Sequence, residues 1–346
     1  MKSLSRYAAT NAITRTMLSE MITSSEFESI IRSGSMAAAW AALRKTSYGV
    51  WVAEEPPSDI LEVEKIFRET TAKRFKRSIY ALQDRPHDVG MVLLSRWDLD
   101  NLEFALRLWH GKDRKLQKFL TYPSFVDEIP VYDIVEAKML EEIGLVLRAT
   151  PYVEPITASL GAYREKKSIF YVELALERDY YKRLLAAAAG LGGADARLAE
   201  RIVGGEIDLV NLAWLSRLID YYKTDPGELH RHLIPGPSVI SRRLAEPGLS
   251  PERLKELRSD VLAGRVGKDV EARVEAGSVS LLETLVGETV VETARGILAG
   301  YPFSIGCVFA FYLLKRTELR NLNTVFAGKW LGTDESKISD RLYGLR

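Results

Sequence analysis

Trp97-Asp98-Leu99-Asp100-Asn101-Leu102 is matched further along the chain by Ile207-Asp208-Leu209-Val210-Asn211-Leu212 and again by Thr317-Glu318-Leu319-Arg320-Asn321-Leu322. Each copy reads as an acidic residue, Leu, any residue, Asn, Leu. Asn101, Asn211 and Asn321 stand 110 residues apart in each step. So even a spacing, at the size of a small domain, marks an internal repeat and sets the fold class before any single element is assigned. On a helix, positions i, i+3 and i+4 share a face. Leu99, Leu102 and Leu106 therefore form one apolar stripe, with Asp98 and Asn101 side by side along its edge. Asn is a poor residue in a helix interior because its amide competes for backbone groups. An Asn held at one register three times implies a specific hydrogen bond, to the end of a neighbouring helix or to the next repeat. Asp98, Asn101, Asp208, Asn211, Glu318 and Asn321 are thus read as structural repeat anchors, since nothing reactive lies beside them.

Working outward, the rest of the chain has helical periodicity and little strand signal. Ile60, Leu61, Val63, Ile66, Phe67, Phe75, Ile79 and Leu82 predict a long amphipathic helix ending before Arg85-Pro86. His87 to Gly111 carries the first copy, and Lys112 to Leu120 reads as a short amphipathic segment. In the second unit, Phe170 to Ala189 is a long helix stopped by Gly190-Leu191-Gly192-Gly193. Residues 194–203 form a short helix, and Gly204-Gly205 opens the helix of the second copy. In the third, Ser250-Pro251-Glu252 reads as an N-cap with Pro at the first helical position. Helices near 251–263, 269–276 and 280–298 lead to Phe303 to Gly328, which carries the third copy; Thr333 to Leu345 reads as a last helix. Ser24, Ser25, Ser35 and Ser58 or Asp59 mark helix starts. The predicted fold is all-α, with repeats at 1–125, 126–237 and 238–346.

The chain has 346 residues, 47% of them apolar and 27% charged, the proportions of an ordinary globular protein. With 48 basic and 47 acidic residues the net charge is +1, which gives no nucleic-acid footprint. Cys307 is the single cysteine, so no intrachain disulfide forms and a reducing compartment fits. No signal peptide is expected from Met1 to Met21. The longest apolar run, Phe303 to Leu314, is too short for a bilayer span, which takes about 20 residues.

Chemistry-bearing motifs are mostly missing. No P-loop is present, and the Gly190–Gly193 cluster lacks the strand a dinucleotide fingerprint needs. His230 and His232 point to different helix faces and have no cysteine beside them, so no metal site is expected. Glu54-Glu55, Asp127-Glu128 and Glu141-Glu142 diverge as neighbours on helices and read as solvated. Cys307 reads as inert packing. Glu64 to Arg77 is locally basic, a solvated helix face or a docking face for an acidic partner or membrane surface. No catalytic, cofactor or metal residue is assigned.

Taken in order, Tyr7-x4-Ala12-x2-Arg15-x2-Leu18, Leu43-x2-Thr46-x-Tyr48-Gly49, the Asp98–Leu102 pattern with Arg107, the Asp208–Leu212 pattern with Arg217, and Lys315-Arg316-Thr317-Glu318-Leu319-Arg320-Asn321-Leu322 resemble the C subunit of V/A-type ATP synthases, whose eukaryotic counterpart is the d subunit of the V-ATPase. The third copy departs in having Ala327 where the others have Arg107 and Arg217. The resemblance implies three similar helical domains around a pseudo-threefold axis in a funnel. It implies a non-catalytic, peripheral membrane protein on the cytoplasmic face. That protein links central shaft subunits to the membrane proteolipid rotor ring and transmits torque, without nucleic acid, cofactor or small-molecule substrate. The alternative is a helical enzyme with an active-site pocket between repeats. A deep pocket with convergent ionisable groups would favour it.

Overall fold

In the computed structural model, residues 2–112, 123–216, 218–219, 222–225, 228–237, 242–243 and 279–345 are described. Every regular element among them is a helix. The predicted segment 112–120, the Ser250-Pro251-Glu252 cap, the helices near 251–263 and 269–276, and Arg217 lie outside the described residues, apart from Lys112 itself.

In chain order the helices are α1 Lys2–Ser19, α2 Ser24–Ile31, α3 Met36–Arg44, α4 Ile60–Ile79, α5 Asp84–Gly111, α6 Val131–Glu136, α7 Leu140–Val146, α8 Val153–Lys166, α9 Phe170–Gly190, α10 Gly193–Ser216, α11 Leu229–His232, α12 Val279–Leu298, α13 Gly306–Trp330 and α14 Glu335–Ser339. The three pattern copies lie on α5, α10 and α13. Several starts follow from capping chemistry. Thr23 accepts the N–H of Glu26 while Glu26 reaches back to the N–H of Thr23, a reciprocal pair that fixes α2 one residue ahead of the predicted serines. Ser35 caps α3 and Asp59 caps α4.

Three boundaries differ from the sequence reading. α5 begins at Asp84, ahead of Arg85-Pro86, because Pro in a first turn lacks only an N–H that has no helical partner there. α10 runs unbroken through Gly204 and Gly205, so the predicted short helix and the pattern helix are one. Packing outweighs the roughly 1 kcal/mol that each glycine costs in a helix. The segment 333–345 is helical only over Glu335–Ser339, because its last residues are held as irregular, turning chain by α13 and α12.

The chain divides into two compact units, residues 84–249 and residues 1–83 together with 250–346. In the first, α9 packs against α5, α8 and α10, and α6 and α7 close one side. In the second, α13 packs against α4 and α12, with α1 and α3 also in contact. The core of this second unit is aromatic. Phe67 and Phe326 meet at 5.1 Å between ring centres, and Trp40 lies 6.0 Å from Phe67 and 5.7 Å from Phe326. Phe75 continues the same contact face towards Phe311 and Tyr312.

Candidate functional site

Asn101, Asn211 and Asn321 are all buried, and each clamps a backbone segment 22 or 23 residues downstream. The Asn211 amide donates to the Ile234 carbonyl at 2.9 Å and accepts the Ile234 N–H at 2.8 Å. Asn321 does the same with Tyr343, at 2.9 and 3.1 Å. Asn101 donates to the Pro123 carbonyl at 3.3 Å, where proline has no N–H to return. The bond anticipated to a helix end or to the next repeat is therefore made to an irregular segment following the pattern helix. An amide is suited to this, since it presents one donor and one acceptor to the two groups of a single peptide position.

The acidic residue of the pattern pins a second strip of backbone. Asp98 accepts the N–H groups of Phe125 and Val126 at 2.7 Å each and that of Asp127 at 3.0 Å. Burial pushes its carboxyl up to about 6, with the three N–H donors pulling the other way. Glu318 accepts the N–H of Ile22 at 2.8 Å, the Tyr48 hydroxyl at 2.9 Å, and the Lys315 ammonium. Lys315 is wholly buried, and burial lowers its pKa against the pull of Glu318. Burial, then Glu318, pushes the Tyr48 hydroxyl well above its ordinary range. Asp208 is buried on α10 beside Asn211.

Comparison of the two units exposes a second repeat that the sequence reading passed over. Leu43-Arg44-Lys45-Thr46-Ser47-Tyr48 and Leu147-Arg148-Ala149-Thr150-Pro151-Tyr152 share four of six residues. Their local bonds match. Thr46 donates to the Leu43 carbonyl at 2.7 Å and accepts from Tyr48 N–H at 3.2 Å; Thr150 donates to Leu147 at 2.8 Å and accepts from Tyr152 N–H at 3.3 Å. The tyrosines are both buried. Tyr48 bonds the pattern acid Glu318, and Tyr152 donates to the Ser95 carbonyl at 3.3 Å, one helical turn before Asp98. The same offset of 104 residues pairs Ile22 with Val126, which give their N–H groups to Glu318 and Asp98 respectively. The short motif was the signal available in sequence; its offset differs from the 110-residue period and hid it.

One repeating block is thus visible twice: a pattern helix, a helical hairpin ending in Leu-Arg-x-Thr-x-Tyr, and the next long helix. In residues 84–249 these are α5, α6–α7 and α9. In the other unit they are α13, α2–α3 and α4, taken from opposite ends of the numbering. There, two distant segments supply what the continuous loop 123–127 supplies around α5. A crevice of about 280 Å³ lies where they join, lined by Leu18, Ile22, Phe27, Val291, Asn321 and Tyr343 among others. Glu318 also borders it, with both of its oxygens already bonded.

The contacts between the long helices differ from block to block. Between α5 and α9, Arg96 bonds Asp100 at 2.9 Å and Glu177 at 2.6 Å, while Arg107 bonds Glu173 at 2.6 Å and Glu103 at 3.4 Å. Glu103 is pushed well up by burial and by Glu177. Between α13 and α4 the contact is aromatic; Ala327 stands where Arg107 does, and Glu69, the counterpart of Glu173, is bonded by Lys73 of its own helix at 3.1 Å. The basic helix α4 is also less solvated than expected. Arg74 is buried, reaches the Ser47 carbonyl and the Glu20 carboxylate, and lies over the Tyr48 and Trp51 rings at 5.2 and 5.6 Å. Burial next to these groups, rather than a partner, occupies one of its cations.

Among the described residues no three His, Cys, Asp or Glu side chains converge as a metal site. His110 bonds the Tyr163 hydroxyl at 3.1 Å, and His232 packs on Tyr171. Glu141 is paired with Arg164 and Cys307 is buried. No helix among the described residues is long and apolar enough to cross a membrane.

Residues 10–341 match the family model described as ATP synthase (C/AC39) subunit. The chain is 25% identical to the C subunit of the A-type ATP synthase of Pyrococcus horikoshii and 26% identical to that of Thermococcus gammatolerans, each time over 92% of this chain and 85% of the relative. It is 25% identical to the corresponding A-type ATP synthase protein of Methanocaldococcus jannaschii over 99% of this chain and 87% of the relative.

Proposed function

The chain belongs to the ATP synthase (C/AC39) subunit family, and from that premise we propose that it is a non-catalytic central-stalk subunit of a V/A-type rotary ATP synthase. In this reading it is a socket that links the central shaft subunits to the membrane proteolipid ring and passes torque between them. It lies peripherally on the membrane at the cytoplasmic face. The observation that carries the reading is the family match across residues 10–341.

The anchors support it. Asp98, Asn101, Asn211 and Asn321 bond backbone, and Glu318 bonds backbone, Tyr48 and Lys315, as expected of parts that hold a block rigid, and not of groups held ready for a substrate. A torque coupler needs stiff, broadly packed elements, and long helices clamped by buried side chains supply them. We further propose that the chain holds three copies of the block around a common axis, the third built on α10.

The test is functional reconstitution. Vesicles carrying the complete synthase, and the same complex assembled without this chain, are compared for ATP hydrolysis and for ion movement. Hydrolysis by the head persists in both, while ion movement coupled to it requires this chain. Full coupling without it, or turnover of a substrate by the isolated chain, contradicts the proposal.

A further inference from the structure

The 104-residue offset allows the hairpin α6–α7 to be compared with its counterpart α2–α3, position by position. Inward-facing residues correspond: Phe27 with Val131, Ile30 with Ile134, Ile31 with Val135, Ala39 with Ile143 and Leu43 with Leu147, all buried. Outward-facing residues do not. Tyr132, Met139 and Leu145 are 62%, 51% and 65% exposed, and their counterparts are Glu28, Ser35 and Ala41, also exposed. The block folds with polar or small residues at these positions, so the large apolar ones answer no need of the fold. Exposing them in water has a cost that a partner's surface removes.

Charge says what kind of partner. Residues 126–148 carry six acidic side chains (Asp127, Glu128, Asp133, Glu136, Glu141, Glu142) against Lys138 and Arg148, whereas residues 22–44 carry two of each sign. Even with Glu141 paired to Arg164, this excess of acidic side chains repels an anionic lipid surface and attracts cations. Resting on the function proposed above, we propose that the α6–α7 hairpin is a docking surface for a basic, amphipathic segment of a neighbouring protein subunit. Tyr132, Met139 and Leu145 take its apolar face, and the exposed carboxylates Asp133 and Glu136 on α6 take its lysines or arginines.

The test gives the hairpin its counterpart's residues, with Tyr132→Glu, Met139→Ser and Leu145→Ala combined in the full chain. Affinity for purified central shaft subunits and for the detergent-solubilised proteolipid ring is measured separately, at low and high salt. Binding to one of the two is expected to weaken by at least about tenfold, with the thermal midpoint kept. A second variant, Asp133→Lys with Glu136→Lys, leaves the apolar residues in place. It is expected to weaken the same binding and to flatten its salt dependence, so the proposal is testable even where the triple variant folds poorly. Unchanged affinity of both variants for partners that the unaltered chain binds overturns this inference alone. An unaltered chain that binds neither partner overturns the functional reading and this inference with it. Binding of the unaltered chain to anionic phosphatidylglycerol vesicles that the triple variant loses overturns the assignment to a protein partner.

Discussion

At the scale of single residues, stability rests on a few buried polar groups whose partners are fixed by geometry. Asn211→Leu leaves both backbone groups of Ile234 without their bonds in a buried setting. The expected cost is about 1–3 kcal/mol, read from the chemical denaturation midpoint; an unmoved midpoint contradicts the anchoring role. Lys315 and Glu318 are bound more tightly to each other's presence. Lys315→Met strands a buried carboxylate and should cost about 3–5 kcal/mol, whereas the double variant with Glu318→Gln should recover part of that loss. Additive losses in this cycle would show that the two side chains do not act as a pair. Asp98 makes a prediction about pH. Its folded pKa, about 6, is raised by burial above the ordinary Asp value. The folded chain therefore holds that proton more tightly than the unfolded chain does. Its contribution to stability is complete below about pH 4 and is lost as the pH rises through 6. Carbon NMR of the Asp98 carboxyl should show titration near 6; titration near 4 would contradict the reading.

At the scale of elements, close backbone approach and helix pairing decide what each segment tolerates. Gly49 ends the Leu-Arg-x-Thr-x-Tyr turn, and a Cβ there would come within 2.1 Å of the Arg44 carbonyl oxygen. Gly49→Ala therefore forces the end of α3 to move, and a lowered thermal midpoint is expected. A midpoint equal to that of the unaltered chain would mean the turn is looser than its geometry shows. How much of this was legible beforehand depended on what each pattern encodes. Helical spacing of Leu, Phe and Ile marked α4, α5, α9 and α13, because an amphipathic stripe must face a core wherever that core is. The three asparagines were recognisable as anchors because a buried amide in a helix needs a reason. Their partners were not, since Ile234 and Tyr343 contribute backbone groups that any residue carries. Nor was it visible that Tyr48 meets Glu318, for that contact joins segments 270 residues apart. The break expected at Arg85-Pro86 falls a few residues earlier, between Ile79 and Asp84, because a proline in a first turn breaks nothing, and the break expected at Gly204-Gly205 is absent because packing outweighs the propensity of two glycines. The acidic, apolar outer face of α6–α7 was unreadable in the sequence alone. Only the matched hairpin α2–α3 shows which of its residues the fold requires.

At the scale of the whole molecule, the function proposed above asks for a part stiff enough to couple others. A block held together by buried amide, carboxylate and tyrosine bonds resists shear, and helices of twenty residues and more transmit displacement along their length. The central claim is that this chain grips a shaft and a ring together. The most direct measurement is native mass spectrometry of the isolated chain mixed with purified central shaft subunits and the solubilised proteolipid ring. The account predicts a ternary assembly containing one copy of this chain between the other two; an absence of binding to either, or binding to one that excludes the other, would contradict it.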